Sequence, residues 1–478
     1  MNMEEPKSNL FSKFLKVVER LGNILPHPVT LFALLCLGIL LTGQIAEWIG
    51  LSVEDPRPEG AKGRSASGII KAEGLLNAEG IRMIFKYLVT NFTDFAPLGT
   101  VLVTMLAVGV AEYSGMFTAL IRSIVLKAPD RLVTFAVVFA GILSNTASEL
   151  GYVVLVPLGG YIFISKGRHP IAGMAAAFAG VSGGYSANLF IETVDPLLSG
   201  ITQEAAQLLA PEYTVHPAVN WYFMMVSVFL ISIIGTLVTE KIVEPNLGKY
   251  DDSHADNIDQ KNAMEPLSYN EKRGLKWAFV TIVVLSVIAA ITIVPEWGIL
   301  RDPETGDALK SPFMKGIVAW IFIFFMIPSI VYGKITGTIN NDKDVINGMS
   351  EAMSKMGLYM VLVFFAAQFI AFFKWTNLGT IFAVGGASAM EAMGLTGPLI
   401  FIPFIIICGI VNLMLGSASA QWAVTAPIFV PMLMLVGYSP EVIQAAYRIG
   451  DSTTNIITPM MSYFGLILAF AEAFHKQH

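Results

Sequence analysis

An all-α polytopic membrane protein, organised as an inverted repeat and carrying two re-entrant helical hairpins, is the fold predicted by this 478-residue sequence. Three observations predict it: the composition, the spacing of the apolar runs, and a set of motifs that recurs in the same order. Of the residues, 54% are hydrophobic and only 14% charged, with a mean hydropathy of +0.64. An ordinary soluble domain carries about a quarter charged residues. A surface so poor in charge would not stay dissolved, which makes the bilayer the solvent for most of the chain.

Residues 1–28 carry Lys7, Lys13, Lys16 and Arg20 without a small-residue cleavage site, and read as a cytoplasmic segment rather than a removable signal. Apolar runs able to cross a ~30 Å hydrocarbon core as helices follow at 29–49, 87–113, 171–198, 218–239, 276–295, 315–333, 357–375 and 441–471. The stretch 113–130 has room for a short extra helix.

Two further apolar stretches, 132–163 and 397–435, are too long for one span and are interrupted by small polar residues. The first interruption is Ser144-Asn145-Thr146-Ala147-Ser148 and the second Gly416-Ser417-Ala418-Ser419-Ala420-Gln421. These are the expected hairpins. In hydrocarbon every backbone N–H and C=O must be satisfied, so a non-helical tip survives only when buried in protein or lining a wet cavity. The alternative is a pair of ordinary helices joined at the surface, with Ser and Thr serving as packing residues.

The resulting organisation is a first half at 29–239 containing hairpin 132–163, a cytoplasmic loop at 240–275, and a second half at 276–472 containing hairpin 397–435. Lys and Arg clusters fall on one side if the spans alternate and each hairpin returns to its side of entry, which makes that side cytoplasmic. Lys62, Arg64 and Lys71 depart from this bias. The acidic stretch from Glu240 to Glu271 argues against a nucleic-acid partner. Cys36 and Cys408 lie in apolar runs without a metal or redox spacing.

Val101-Leu102-Val103 with Ala107 and Ala111 recurs as Val361-Leu362-Val363 with Ala367 and Ala371, and a broken hairpin follows each copy. Gly183 through Asn188 and then Pro196 is echoed by Gly450 through Asn455 and then Pro459. The first hairpin enters from the cytoplasm and the second from outside, so the halves are inverted. Inverted repeats with discontinuous helices at the midplane are the architecture of alternating-access carriers.

Ionisable groups within spans cost at least ~2.5 kcal/mol at the centre and demand a partner or water. Here they gather where the repeat breaks: Glu149, Glu192 and Asp195 in the first half, Arg448 and Asp451 in the second. Asn145, Thr146, Asn188, Asn412, Ser417, Ser419, Asp451 and Asn455 supply oxygen atoms suited to a hard cation such as sodium, while half-helix N-termini suit a carboxylate. Competing readings stand beside these. Asp451 and Arg448, at i and i+3, could form a structural ion pair, and Asn188 and Asn455 could serve helix packing. Trp422 beside Gln421 offers a face for a substrate ring, or an interface anchor. Pro440 and Pro459 break or start helices, Pro459 where the last helix must unwind.

Asn145 to Tyr152, Gly183 to Asn188, Gly416 to Ala423 and Tyr447 to Ser452 together resemble the AbgT family of p-aminobenzoyl-glutamate transporters, over about residues 20–472. The resemblance implies about nine transmembrane helices plus two hairpins, a homodimer in the bacterial inner membrane, and an elevator-like motion. It implicates Asp195, Trp422, Pro440, Arg448 and Asp451 in transport and places Asn412 and Asp451 near a bound sodium ion. It also implies uptake of p-aminobenzoyl-glutamate, export of sulfonamide antimetabolites, or both, on a sodium or proton gradient. The partners expected are lipid and a small aromatic or carboxylate substrate, with no organic cofactor. A sodium-coupled dicarboxylate carrier and an intramembrane hydrolase using Asp195 and Asp451 are the alternatives; the absence of a Walker loop argues against ATP-driven pumping.

Overall fold

The computed structural model describes residue 20 and residues 26–147, 151–250, 266–308, 311–458, 461 and 463–475. Eight of the described helices are long and apolar enough to cross a membrane: Pro28–Trp48, Ala78–Ser114, Trp221–Leu247, Tyr269–Ile293, Ile317–Thr336, Gly357–Trp375, Pro398–Leu415 and Ala418–Leu435. Their outward faces confirm the solvent. Val226, Phe229, Leu230, Ile233, Ile234 and Leu237 line one exposed stripe, and Phe279, Val283, Val287 and Ile291 another. Such stripes would not persist in water. The fold is an all-α polytopic membrane protein, as its sequence predicts.

The helices, numbered in chain order, divide between two compact units. Unit one takes Met1–Leu98, Leu198–Val215 and Leu358–Phe464; unit two takes Gly99–Leu197, His216–Gly357 and Gly465–His478.

In unit one, α1 (Pro28–Trp48) leads to an antiparallel pair of short strands, β1 (Ser52–Glu54) and β2 (Ile69–Lys71), and then to α2 (Ala78–Thr93). The connecting loop is organised by Asp55, whose carboxylate accepts from the Arg57 side chain at 2.8 Å and from Ser65 N–H at 2.7 Å. α3 (Ala96–Ser114) begins at the end of this unit. The sequence predicts one span over 87–113. The helix instead starts earlier, where Asn77 caps it by accepting from Gly80 N–H, and breaks between Thr93 and Ala96. The buried Gln368 helps hold the segment before the break, accepting from Asn91 and donating to the Leu88 carbonyl.

Unit two contains the rest of α3, α4 (Met116–Leu126), α5 (Val133–Ser144), α6 (Val156–Ser165), α7 (Pro170–Gly183) and the first turn of α8 (Val194–Ala206). It also holds α9 (Trp221–Val238), α10 (Tyr269–Ile293), α11 (Ile317–Thr336) and α12 (Asp342–Lys355). α4 occupies the stretch where the sequence left room for a short helix. Met116 and Phe117 of α4 pack with Val108, Ala278 and Tyr332, while Arg122 pairs with Glu271 at 3.3 Å. Ser268 and Glu271 form a capping box that starts α10, and the Arg301 guanidinium caps its far end by donating to the Ile293 and Val294 carbonyls. Gly159 and Gly173 permit α6 and α7 to touch backbone to backbone: a Cβ at Gly173 would overlap the Gly159 carbonyl.

The remaining helices of unit one are α13 (Gly357–Trp375), α14 (Leu378–Ala392), α15 (Phe401–Leu415), α16 (Ala418–Leu435) and α17 (Pro440–Asn455); α18 (Phe464–His475) follows. α12 and α14 are absent from the sequence expectation. α12 is polar and amphipathic, and α14 is a 15-residue helix rich in Gly and Ala, so neither produces a long apolar run.

Candidate functional site

α17 is amphipathic in the reverse sense. Gln444, Tyr447, Arg448, Asp451 and Ser452 are its buried face, at helical spacing, while Val442 and Ile449 are exposed. A polar stripe turned inward on a helix in an apolar environment must be satisfied by protein groups, ions or water. Pro440 occupies the first turn, where its missing N–H removes nothing, so it starts the helix. Pro459, the expected break beyond it, lies outside the described residues, as does Glu149.

α15 and α16 meet at a tip built from the predicted interruption. Gly416 closes α15 in the left-handed conformation, at φ 59°, which favours a residue without Cβ. Its N–H donates to the Asn412 carbonyl, and the Ser417 hydroxyl accepts from Ala420 N–H to cap α16. Just before this tip, the Asn412 amide nitrogen faces three oxygens: the Asp451 carbonyl at 3.0 Å, Thr454 Oγ1 at 2.9 Å and Asn455 Oδ1 at 2.8 Å. Asn455 donates in turn to Asp451 Oδ2 at 3.3 Å, and the Thr458 hydroxyl ties the chain after α17 to the Leu413 carbonyl.

Within this network Asn412 Oδ1 and Asp451 Oδ1 are buried and receive no hydrogen bond from the described residues. A buried acceptor without a donor is costly. Hard oxygens of this kind, one of them on a carboxylate, form a donor set suited to an alkali cation. Sequence reasoning thus brought together residues that do meet: Asn412, Asp451 and Asn455 share one hydrogen-bonded cluster.

Trp422 is in a different situation from the one its position suggested. It is fully buried; Tyr447 stacks on one face with ring centroids 4.3 Å apart, and Nε1 donates to Thr202 Oγ1 at 2.9 Å. Thr202 Oγ1 also lies 2.6 Å from Gln444 Oε1. Gln421 donates to the Cys408 carbonyl between the arms of the hairpin. Thr202, Gln444 and Tyr447 were not singled out from the sequence. Gln444 had a signal, standing one helical turn before Arg448 on the same face, whereas an isolated Thr in a helix had none.

In unit two, α5 ends in a tight turn, Asn145–Ala147, and α6 is preceded by a π-helical turn, Gly151–Leu155. Asn145 donates to the Val181 carbonyl at 3.0 Å, and Asn188 donates to Thr146 Oγ1 at 2.9 Å and Glu192 Oε2 at 3.3 Å. Asp195, in the first turn of α8, accepts from Glu192 N–H at 2.7 Å and so closes the chain break between α7 and α8. The break is further pinned by Trp221, whose ring N–H donates to the Leu189 carbonyl. Asn145, Thr146, Asn188, Glu192 and Asp195 are all buried, and Asn145 Oδ1 receives no hydrogen bond from the described residues. Asn145, Asn188 and Asp195, predicted one by one, therefore belong to one buried polar network.

The model of a family described as the AbgT putative transporter family matches residues 13–478. The p-aminobenzoyl-glutamate transport protein of Escherichia coli (strain K12) is 37% identical over 469 residues, which covers 98% of this chain and 90% of that protein. Among solved structures, that of Neisseria gonorrhoeae MtrF, described as illuminating a class of antimetabolite efflux pumps, superposes with a TM-score of 0.92 at 58% identity. The match covers 97% of this chain and 92% of MtrF. The Alcanivorax borkumensis YdaH transporter, described as having an unusual topology, gives a TM-score of 0.85 at 42% identity, covering 94% of this chain and 91% of YdaH.

Proposed function

Because the chain belongs to the AbgT putative transporter family, we propose that it is a secondary active carrier of aminobenzoyl compounds in a bacterial inner membrane. Its substrates are p-aminobenzoyl-glutamate, taken up, sulfonamide antimetabolites, expelled, or both. The observation that carries a coupled carrier, rather than a passive pore, is the inward polar stripe of α17 beside the broken α15–α16 hairpin. Buried oxygens without donors there fit a sodium ion held by Asn412 and Asp451. Such an ion supplies positive charge where Asp451 is otherwise isolated from water, and its occupancy changes the balance between two carrier states.

The chain-broken segments fit this reading. α5 and α6, of 12 and 10 residues, are about 18 and 15 Å long at ~1.5 Å per residue, too short to cross a ~30 Å core singly. A re-entrant hairpin accommodates both. Arg448, buried on α17, offers a carboxylate partner for the glutamate portion of the substrate. The alternating access in this mechanism is elevator-like, within a homodimer.

The burial of Trp422 under Tyr447 favours a second reading for part of the site, in which Trp422 shapes the hairpin and the carboxylates alone carry recognition, as in a dicarboxylate carrier. Proteoliposomes loaded with the purified protein separate these. Uptake or efflux of labelled p-aminobenzoyl-glutamate and a labelled sulfonamide, under imposed sodium or proton gradients, is expected to exceed protein-free vesicles and to follow one gradient. Flux of a simple dicarboxylate with neither aromatic compound carried would select the second reading. Chemical conversion of the substrate would replace both with an enzyme.

A further inference from the structure

The two polar networks share a spacing. Asn412 precedes Asn455 by 43 residues, and Asn145 precedes Asn188 by the same 43, each pair displaced from the other by 267. In each network the hairpin asparagine donates to a backbone carbonyl at 3.0 Å, Asp451 in one and Val181 in the other. In each, the second asparagine donates at 3.3 Å to a buried carboxylate four residues away, Asp451 in one and Glu192 in the other. In each, the hairpin asparagine keeps a buried carbonyl oxygen, Asn412 Oδ1 or Asn145 Oδ1, that receives no hydrogen bond from the described residues.

The carboxylates are not themselves repeated. Asp451 lies before its asparagine and Glu192 after, with Gly184 at the position equivalent to Asp451 and Pro459 at that equivalent to Glu192. Inheritance of the repeat therefore explains the asparagines but not the charge. Each half places one negative group at the same hydrogen-bonded station by a different residue, which marks a shared requirement for charge. No group of three or more His, Cys, Asp or Glu side chains gathers among the described residues. One carboxylate accepts from the second asparagine of each pair, and in unit two the other, Asp195, is taken up by the Glu192 N–H, which matches a monovalent rather than a divalent ion.

We propose that the network of unit two is a second sodium site, with Asn145 Oδ1 and the Glu192 carboxylate as ligands and Asn188 as the positioning residue that orients Glu192. This rests on the reading of Asn412 and Asp451 as a sodium site and adds a second ion to the cycle. Asp195 holds the backbone of Glu192 in place rather than binding the ion.

Radioactive sodium binding to the full-length protein in nanodiscs tests it. Two ions per chain are expected for the wild type, one for Glu192→Gln, one for Asp451→Asn and none for the double variant. Asn145→Ala should weaken binding at the affected site at least tenfold, and Glu192→Asp, which keeps the charge, should retain two ions. In vesicles the Hill coefficient for sodium should fall from about two to about one in Glu192→Gln. Should Glu192→Gln not fold, the wild-type stoichiometry and the Asn145→Ala affinity decide the matter. One ion in the wild type, lost in Asp451→Asn, would overturn the second site while leaving the first. No sodium binding at all would overturn both, and two ions retained in Glu192→Gln would place the second ion elsewhere.

Discussion

The indole of Trp422 lies on the ring of Tyr447, planes 23° from parallel, and the Tyr447 hydroxyl donates to the Ala418 carbonyl at 2.6 Å. One side chain of α17 thus holds both the aromatic core and the tip of the second hairpin.

Tyr447→Phe keeps the stack and removes the donor, leaving a buried carbonyl without it at a cost of about 1–3 kcal/mol. Tyr447→Leu also removes the ring contact, worth a further ~0.5–1.5 kcal/mol. Thermal midpoints in detergent should fall in the order wild type, Phe, Leu. Equal midpoints for all three would show that the tip is not held through this residue.

Asn412→Ala deletes the amide that faces Asp451, Thr454 and Asn455, together with a proposed ligand oxygen. Sodium-dependent transport should need at least tenfold more sodium, whereas Thr454→Val, which removes one acceptor, should shift it less. Sodium titrations of vesicle uptake measure both, and an unaltered curve for Asn412→Ala would dissociate this residue from the ion.

Gly173→Ala should separate α6 from α7, since the methyl would meet the Gly159 carbonyl and, at 2.7 Å, the Phe163 ring. Overpacking of this kind costs about 1–3 kcal/mol, more where backbone must move. Gly38→Ala in α1, where nothing lies within 4 Å, is the control and should be neutral or slightly stabilising. A loss of midpoint in both variants alike would argue that the backbone approach is not the cause.

Asp55 organises the loop between the short strands, and its pKa reflects that role. Burial alone would raise it. Hydrogen bonds from the Arg57 side chain and from the Ser65 and Arg57 N–H groups, with the guanidinium charge, outweigh burial and hold it at about 2, against an ordinary 3.8. The folded value lies below the unfolded one, so the stabilisation is complete above about pH 4 and is lost as pH falls towards 2, amounting to at most ~2.5 kcal/mol locally. Pepsin cleavage of residues 51–71 should therefore accelerate on going from pH 4 to pH 2.5 in the wild type. In Asp55→Asn it should be fast at both, and a wild-type-like profile in that variant would remove the carboxylate from the account.

Much of the site was legible because its local signals are strong. An Asp and an Arg within the long predicted span 441–471, and Gly-Ser-Ala-Ser in the middle of a 39-residue apolar stretch, are anomalies that need no partner to be noticed. Asn412, Asp451 and Asn455 were found that way. The break between α2 and α3 was not, because Asp94 and Phe95 interrupt the helix with residues that a span-scale apolar pattern absorbs. α14 escaped for a different reason, its 15 residues falling short of the ~20 that a span requires.

The sequence by itself determined the solvent, the helical class and the polar interruption at Gly416-Ser417, since each follows from a side chain's own polarity and its near neighbours along the chain. Tertiary structure alone decided who meets whom: Thr202 with Trp422 across 220 residues, Asn188 with Thr146 across 42, and Tyr447 over the indole expected to face a substrate. Burial makes an unsatisfied polar group costly, but the donor that answers it can come from any distant segment that folding carries within about 3 Å. That distance is a property of the packed chain.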